Sequence, residues 1–164
     1  MDLSKLPEKA KKAEAENKKF FQKVKKLSDE KVDKIAHELH DEVFEEIDCL
    51  SCANCCKTTS PAMYERDVER LAKFLKIRPS ELIEKYLELD DDKEYVFKSA
   101  PCPFLAEDNY CHVYEARPTA CREYPHTNRK RFRQILDLTL KNTFICPAAY
   151  EVVEKMKRLT KYDF

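Results

Sequence analysis

The protein has 164 residues, in which 31 Lys and Arg balance 31 Asp and Glu, and it contains 8 cysteines but no glycine. Ordinary usage would supply about 11 glycines. Phosphate-cradling loops, dinucleotide fingerprints, hydrolase nucleophile elbows and calcium loops need glycine, because glycine takes a positive φ at little cost. The composition therefore excludes these motifs in their usual form, and the length suits one domain of ordinary size.

Two oppositely charged helices are predicted at the N-terminus. Residues 1–27 carry a net charge of +5 and residues 28–48 a net charge of −7. The first helix, Lys5–Lys26, is rich in Ala, Glu and Lys; we expect it to fray at its start and to pack through its Phe-containing end. Ser28 is the expected N-cap of the second helix, whose apolar residues follow helical spacing.

Short helices and loops are predicted to follow. We expect an irregular loop over residues 49–60, then a helix with Ser60 as N-cap and Pro61 in its first turn. Another helix is predicted to start at Pro79, and Tyr95–Phe97 is the best candidate for a strand.

The C-terminal part is predicted to contain two more helices. Residues 130–142 fit a helix, although residues 132–138 also tolerate a strand. Cys146 and Pro147 open the last helix, with Cys146 at the N-cap, where unpaired N–H groups and the helix dipole favour a thiolate.

The predicted fold class is mainly α: a small domain of short helices around Cys-rich and Pro-rich loops, with at most a minor β element and an N-terminal helical extension. We place the charged helical region at residues 1–48, packed on the core, and the cysteine-cluster domain at residues 49–164. No apolar run is long enough to span a bilayer, and the N-terminus has no apolar signal core, so a cytoplasmic protein without a membrane partner is expected.

The first group of cysteines has two-residue spacers and ends in a vicinal pair: Cys49, Cys52, Cys55 and Cys56. In a reducing cytosol, such spacing is more typical of metal or redox sites than of a disulfide framework. Two-residue spacers let one loop direct several thiolates at one centre, as in zinc and iron-sulfur sites. Because successive side chains diverge, one of the vicinal pair is expected to face a second centre or to be a buried thiol that is not a ligand.

The second group of cysteines is surrounded by prolines, which hold the backbone rigid. We predict that both groups bind metal, with these ligands: Cys49, Cys52, Cys55, Cys56, Cys102, Cys111, Cys121 and Cys146. Four thiolates around Zn²⁺ or in an iron-sulfur cluster leave a net negative charge, so nearby cations are expected. Lys57, Arg117 and Arg122 are the candidates, and each is equally well explained as a solvated surface residue.

Other polar residues offer weaker alternatives. His112 or His126 would complete a site, but the thiols already suffice for two four-ligand sites. The basic run at residues 129–131 is typical of a solvated face. We do not expect nucleic acid as a partner, because no Arg residues interleave with the N-terminal lysines. The N-terminal helices could bind a protein partner.

The cysteine motifs resemble those of the YkgJ-type zinc- or iron-chelating cysteine-cluster family. The resemblance is carried by Cys49-x2-Cys52-x2-Cys55-Cys56, Cys102-Pro-Phe-Leu105, Cys111-x-Val-Tyr-Glu115-x-Arg117-Pro118-x2-Cys121 and Pro61-x5-Asp67-x3-Leu71. It implies metal binding by the cysteines in small bacterial proteins, and the same type of domain occurs with an iron-sulfur cluster in flagellin lysine methylases. Family members commonly have glycine where this chain has Ser51, Ala53 and Asn109; Asn109 and Asn54 are the expected left-handed substitutes.

The leading hypothesis is a metal-chelating protein that binds zinc or iron, including a 4Fe-4S cluster, in a structural or redox role. One alternative is a metal- or cluster-dependent accessory component of a transferase or redox enzyme, and another is a thiol redox sensor. No catalytic motif is visible, so a stand-alone enzyme is not expected.

Overall fold

A computed structural model describes the backbone of residues 2–163 and the side chains of residues 2–159. The helices, in chain order, are α1 Leu6–Val24, α2 Asp29–Glu46, α3 Cys49–Cys52, α4 Asn54–Thr58, α5 Glu65–Leu75, α6 Pro79–Tyr86, α7 Thr119–Glu123, α8 Leu136–Asn142 and α9 Pro147–Asp163. Short 3-10 helices cover Leu3–Lys5, Tyr114–Ala116 and Phe132–Ile135. The strands β1 Leu87–Leu89 and β2 Tyr95–Phe97 pair antiparallel. The prediction of a mainly α fold with a minor β element is confirmed.

The chain forms two compact units. Met1–Cys49 and Pro125–Phe164 form the first, here called the helical unit, and Leu50–Tyr124 forms the second, here called the cysteine-rich unit. No described helix combines the length and the apolar character that are needed to cross a membrane.

In the helical unit, one face of α1 is buried from the first turn of the helix to the last. Leu6 and Ala10 lie in the first turns of the helix, far from its Phe-containing end, and have no exposed surface. The expectation of a frayed start is therefore wrong. Leu6, Ala10, Phe20, Phe21 and Val24 follow helical spacing and make one continuous buried face. The first half of this face is not evident in the sequence, because its apolar residues are isolated among lysines.

The second helix begins and packs as its sequence predicts. The Ser28 hydroxyl accepts a hydrogen bond from the Lys31 N–H at 3.3 Å, which confirms the predicted N-cap. Helix α2 then contributes Val32, Ala36 and other apolar residues to a core that also contains residues of α1, α8 and α9.

The segment before α8 is held by a carboxylate of α2. The two oxygens of Asp33 accept the backbone N–H groups of Arg131 and Phe132 at 2.7 and 2.8 Å. Arg131 has a φ of 58°, so a helix cannot run through it. The predicted helix over residues 130–142 therefore begins only at Leu136, after a 3-10 turn, and the strand alternative for residues 132–138 is wrong.

One predicted helix start near β2, in the cysteine-rich unit, is wrong. The helix expected from Ser60 starts at Glu65. The preceding segment is extended instead, because the Met63 N–H donates to the Tyr95 carbonyl at 2.9 Å and the Ser60 hydroxyl accepts the Phe97 N–H at 2.6 Å. The prediction of a β2 strand is confirmed, and so is the helix start at Pro79; this helix ends at Tyr86, directly before β1.

The first cysteine loop also differs from expectation, since residues 49–58 fold mainly into α3 and α4. Ala53, between the two helices, has a φ of 47° and is 5% exposed. Asn54 is the first residue of α4, so the left-handed position expected there is one residue earlier. The same expectation for Asn109, with a φ of 68°, is confirmed.

Candidate metal centre

The structure places six of the eight cysteines in the cysteine-rich unit and none of the eight in a disulfide. Five lie in or beside short elements and one follows a proline turn: Cys52 in α3, Cys55 and Cys56 in α4, Cys102 after Pro101, Cys111 in a bridge with Leu105, and Cys121 in α7. Cys49 and Cys146 belong to the helical unit.

Cys146 acts as a cap of α9. Its Sγ accepts the backbone N–H of Ala149 at 3.5 Å, so the side chain satisfies one of the donors at the helix N-terminus. This agrees with the N-cap position predicted from Pro147.

A backbone hydrogen bond joins the two groups of cysteines. The N–H of Cys102 donates to the carbonyl of Cys56 at 2.8 Å. The N–H of Leu105 then donates to the Cys102 carbonyl at 3.1 Å, and Leu105 pairs with Cys111 in an isolated β-bridge. Cysteines far apart in the sequence are therefore attached to one hydrogen-bonded backbone framework.

The last of these cysteines is positioned through a buried carboxylate. Cys121 lies in the first turn of α7, and its N–H donates to the Pro118 carbonyl at 3.0 Å. Asp67 of α5, which has no exposed surface, accepts the N–H and the hydroxyl of Thr119 at the start of α7. The sequence identified Asp67 only as part of a resemblance, because a charged residue in an amphipathic helix carries no local sign of burial.

Four of these thiols act on one another electrostatically: those of Cys56, Cys102, Cys111 and Cys121. A hydrogen bond from Cys55 lowers the pKa of Cys56 to about 7, against the effect of burial and with help from the charges of Arg117 and Lys57. Burial raises the pKa of Cys102 to about 11, and negative charge on Cys56 and Cys111 adds to that increase.

Burial and negative charge on neighbouring cysteines also raise the pKa values of the other two thiols. Burial raises the pKa of Cys111, with a contribution from negative charge on Cys56. Burial raises the pKa of Cys121 to about 12, and negative charge on Cys56, Cys102 and Cys111 acts in the same direction. Four ionised sulfurs would repel one another here, so a metal cation would have to replace the thiol protons.

The predicted neighbouring cations differ in how they are placed. Arg117 acts on Cys56, Cys111 and Cys121. Lys57 acts on Cys56, and its Nζ contacts the Cys52 carbonyl at 3.4 Å. The exposed Arg122 contacts the Glu115 carbonyl at 3.4 Å.

The histidines and tyrosines that neighbour the second group of cysteines in the sequence have different environments. His112 is exposed, next to Cys111 in the chain. His126 belongs to the helical unit and has a φ of 66°. Tyr110 and Tyr114 are exposed by 49% and 40% and stack on each other with ring centroids 6.3 Å apart, rather than packing inside a core.

The donor set has the chemistry of a site for a soft metal. Partly buried thiols from four chain segments interact with one another and with a guanidinium, and thiolate is the preferred ligand of zinc and of iron-sulfur clusters. In the part of the chain that the structure describes, no three His, Cys, Asp or Glu side chains are arranged to hold a metal ion.

Comparison with family models identifies a match to this chain. A family model named CxxCxxCC and described as "Putative zinc- or iron-chelating domain" matches residues 48–143. This range includes every cysteine except Cys146. No curated protein and no solved structure matches the chain.

Proposed function

The chain belongs to the CxxCxxCC family of zinc- or iron-chelating domains, and we propose that its cysteine-rich unit binds zinc or iron through Cys56, Cys102, Cys111 and Cys121. The observation that carries the proposal is the 2.8 Å hydrogen bond from the Cys102 N–H to the Cys56 carbonyl. It attaches the first cysteine group to the loop that bears the second, inside the matched range.

Four thiols complete the ligand set of either centre. Structural zinc sites are tetrahedral and closed, and iron-sulfur clusters are commonly held by four cysteines. When bound, zinc would supply a rigid cross-link, whereas an iron-sulfur cluster would also supply one-electron transfer. The four proposed ligands come from four separate segments, so either centre would link α4, two loop segments and α7.

The remaining four cysteines are not among the proposed ligands. Cys55 donates a hydrogen bond to Cys56 and would shield that ligand. Cys49 and Cys146 belong to the helical unit, and Cys146 lies outside the family match. Cys52 lies in α3, and the proposal leaves it out together with these three thiols. The proposal therefore narrows the eight predicted ligands to four for this centre.

The experiment is purification of the full chain without oxygen, followed by quantification of zinc, iron and inorganic sulfide and by a visible spectrum. One zinc per chain without colour identifies the zinc centre, and iron with sulfide and a brown colour identifies the cluster. Absence of stoichiometric zinc and iron would overturn the proposal.

Matched serine variants test which thiols are ligands. Cys56→Ser and Cys121→Ser should each lower the metal content to well below half of the wild-type value, because one ligand of a closed site is lost. Cys146→Ser, a thiol of similar partial burial in the other unit, should keep the wild-type content. Equal losses in Cys121→Ser and Cys146→Ser would contradict the proposed ligand set.

A further inference from the structure

We infer that two copies of the chain associate through their helical units, with a basic stripe on α1 of each copy docked against an acidic stripe on α2 of the other. The basic stripe consists of Lys19, Lys23 and Lys26, and the acidic stripe consists of Glu38, Asp41 and Glu45; all six residues are exposed. The inference involves no metal, so its test is separate from that of the proposed function.

The basic stripe lies on one side of α1. Its lysines follow one another at intervals of four and three positions, which places them on the same face of a helix. Lys19 and Lys23 lie in α1, and Lys26 follows in the turn that its N–H closes with the Lys23 carbonyl at 3.0 Å. The apolar residues of α1 are buried, so the helix presents these lysines outward.

A neighbouring row of lysines is already neutralised within the chain, unlike the basic stripe. Lys11 and Lys18 pair with Glu14 at 2.7 and 2.6 Å. Lys25 pairs with Asp137 at 3.4 Å. Among the described residues, no Asp or Glu forms an ion pair with a lysine of the basic stripe. The charge of the stripe is therefore available to an anionic partner.

The acidic stripe on α2 has the same spacing in reverse order. Glu38, Asp41 and Glu45 follow one another at intervals of three and four positions, away from the buried residues of this helix. Glu42 of the same helix pairs with Lys155 at 2.6 Å. No Lys or Arg in residues 2–159 forms an ion pair with the acidic stripe.

Antiparallel docking brings the two stripes of different copies into register. Lys19 would then face Glu45, and Lys26 would face Glu38, with the middle residues of the two stripes opposite each other. Each stripe spans seven positions, or about 10 Å at a rise of about 1.5 Å per residue. Because each copy carries both stripes, a two-fold axis would use the same contact twice and close the dimer.

Charge favours a second copy as the partner. The formal net charge of the chain is zero, so two copies do not repel each other at long range. One molecule supplies both complementary surfaces, since residues 1–27 carry +5 and residues 28–48 carry −7. Helix α1 has no arginine and buries both of its aromatic residues, so it offers no stacking platform for nucleic acid and no apolar face for a membrane.

The first test is the salt dependence of association, measured by sedimentation of the full chain over a range of protein concentrations. Exposed ion pairs are individually weak and are screened by salt, so we expect a weak dimer. It should form at about 10 mM NaCl, where the screening length is about 30 Å, and dissociate at about 1 M NaCl, where that length is about 3 Å.

Reversal of either stripe should abolish the dimer. One variant carries three Lys→Glu substitutions in the basic stripe, and the other carries Lys in place of all three residues of the acidic stripe. Each should lower the association constant at least about 10-fold, because like charges then face each other. All six positions are exposed, so both variants should keep the helical circular dichroism of the wild type.

Exchange of the two stripes in one chain is the decisive variant. It combines all six substitutions, returns the net charge to zero and should restore association to the wild-type level. The matched control reverses three exposed lysines of the cysteine-rich unit, which changes the net charge as much as reversal of the basic stripe does: Lys73→Glu, Lys76→Glu and Lys85→Glu. It should associate more strongly than the chain with the reversed basic stripe.

Several outcomes would overturn the inference. A wild-type chain that is monomeric at low salt would do so, as would a dimer that persists at about 1 M NaCl or after reversal of the basic stripe. Failure of the exchanged chain to associate would show that the stripes do not face each other. Nucleic acid that co-purifies with a monomeric wild type, and is lost on reversal of the basic stripe, would identify a polyanion as the partner instead.

Discussion

The backbone N–H and the hydroxyl of Thr119 both donate to the same carboxylate oxygen of Asp67, at 3.0 and 2.8 Å. Thr119 is the first residue of α7, whose N-cap position is occupied by Pro118, a residue without a side-chain acceptor. A buried carboxylate of α5 therefore satisfies the N-terminus of the helix that carries Cys121. The stability of this helix and the placement of a proposed metal ligand depend on the same side chain.

Asp67→Asn should destabilise the cysteine-rich unit by about 3 kcal/mol, because the charged acceptor of Thr119 and Arg70 is lost in a buried site. Urea denaturation of wild type and variant measures the difference. Glu81→Gln is the control, since the Glu81 carboxylate likewise accepts a backbone N–H near the start of α6, that of Arg78. Its side chain is 49% exposed, so the loss should stay below about 1 kcal/mol. Equal losses in the two variants would contradict this account.

Stability should also fall in acid through the same carboxylate. Burial acts to raise the pKa of Asp67, but hydrogen bonds from Thr119, Arg70 and backbone N–H groups outweigh it and hold the pKa below its ordinary value. The ionised carboxylate therefore stabilises the fold above its unfolded pKa of about 3.9, and this contribution is lost as the pH falls through the lower, folded pKa.

The difference in stability between wild type and Asp67→Asn isolates this effect. It should be constant from about pH 7 to pH 5 and shrink as the pH is lowered below about 4. Thermal melts of metal-free protein are the measurement, so that competition between protons and metal for the thiols does not contribute. A difference that grows in acid would refute the assignment.

The sequence correctly predicts the features that depend on neighbouring residues. Ser28 and Pro79 gave correct helix starts, and Cys146 next to Pro147 gave a correct cap, because capping depends on residues within one turn. The contact between Asp67 and Thr119 joins residues that are 52 positions apart, so no window of sequence contains it. The stack of Arg117 on Tyr114 is local, but periodicity does not distinguish it from a solvated pair.

The backbone conformation at Ala53 predicts that glycine is tolerated at this position. Ala53 has a φ of 47° and a ψ of 19°, and a left-handed conformation costs a residue with a Cβ roughly 1–2 kcal/mol. Ala53→Gly removes that cost but adds unfolded-state entropy of about 0.5–1 kcal/mol. Loss of the buried Ala53 methyl group costs about a further 0.8 kcal/mol, so the expected net change is close to zero, measured by urea denaturation.

Ala13→Gly provides the comparison, because Ala13 lies inside α1, where glycine is expected to cost about 1 kcal/mol. Ala53→Gly should therefore cost less stability than Ala13→Gly. A loss in Ala53→Gly as large as that in Ala13→Gly would show that the conformation at Ala53 is not strained.

Removal of metal should lower the melting temperature of the wild-type chain. Metal at about 1,000 times its Kd adds about 4 kcal/mol to stability, and 1 kcal/mol shifts the Tm of a chain of this size by roughly 2–4 °C. A strong chelator should therefore lower the Tm by about 10 °C, with the larger loss of amide protection in the cysteine-rich unit. The decrease should persist in Cys146→Ser, whose thiol belongs to the helical unit, and disappear in Cys121→Ser, which lacks a proposed ligand. A decrease of equal size in Cys121→Ser would mean that the chelator acts at some other site, because that variant has only three of the four proposed ligands.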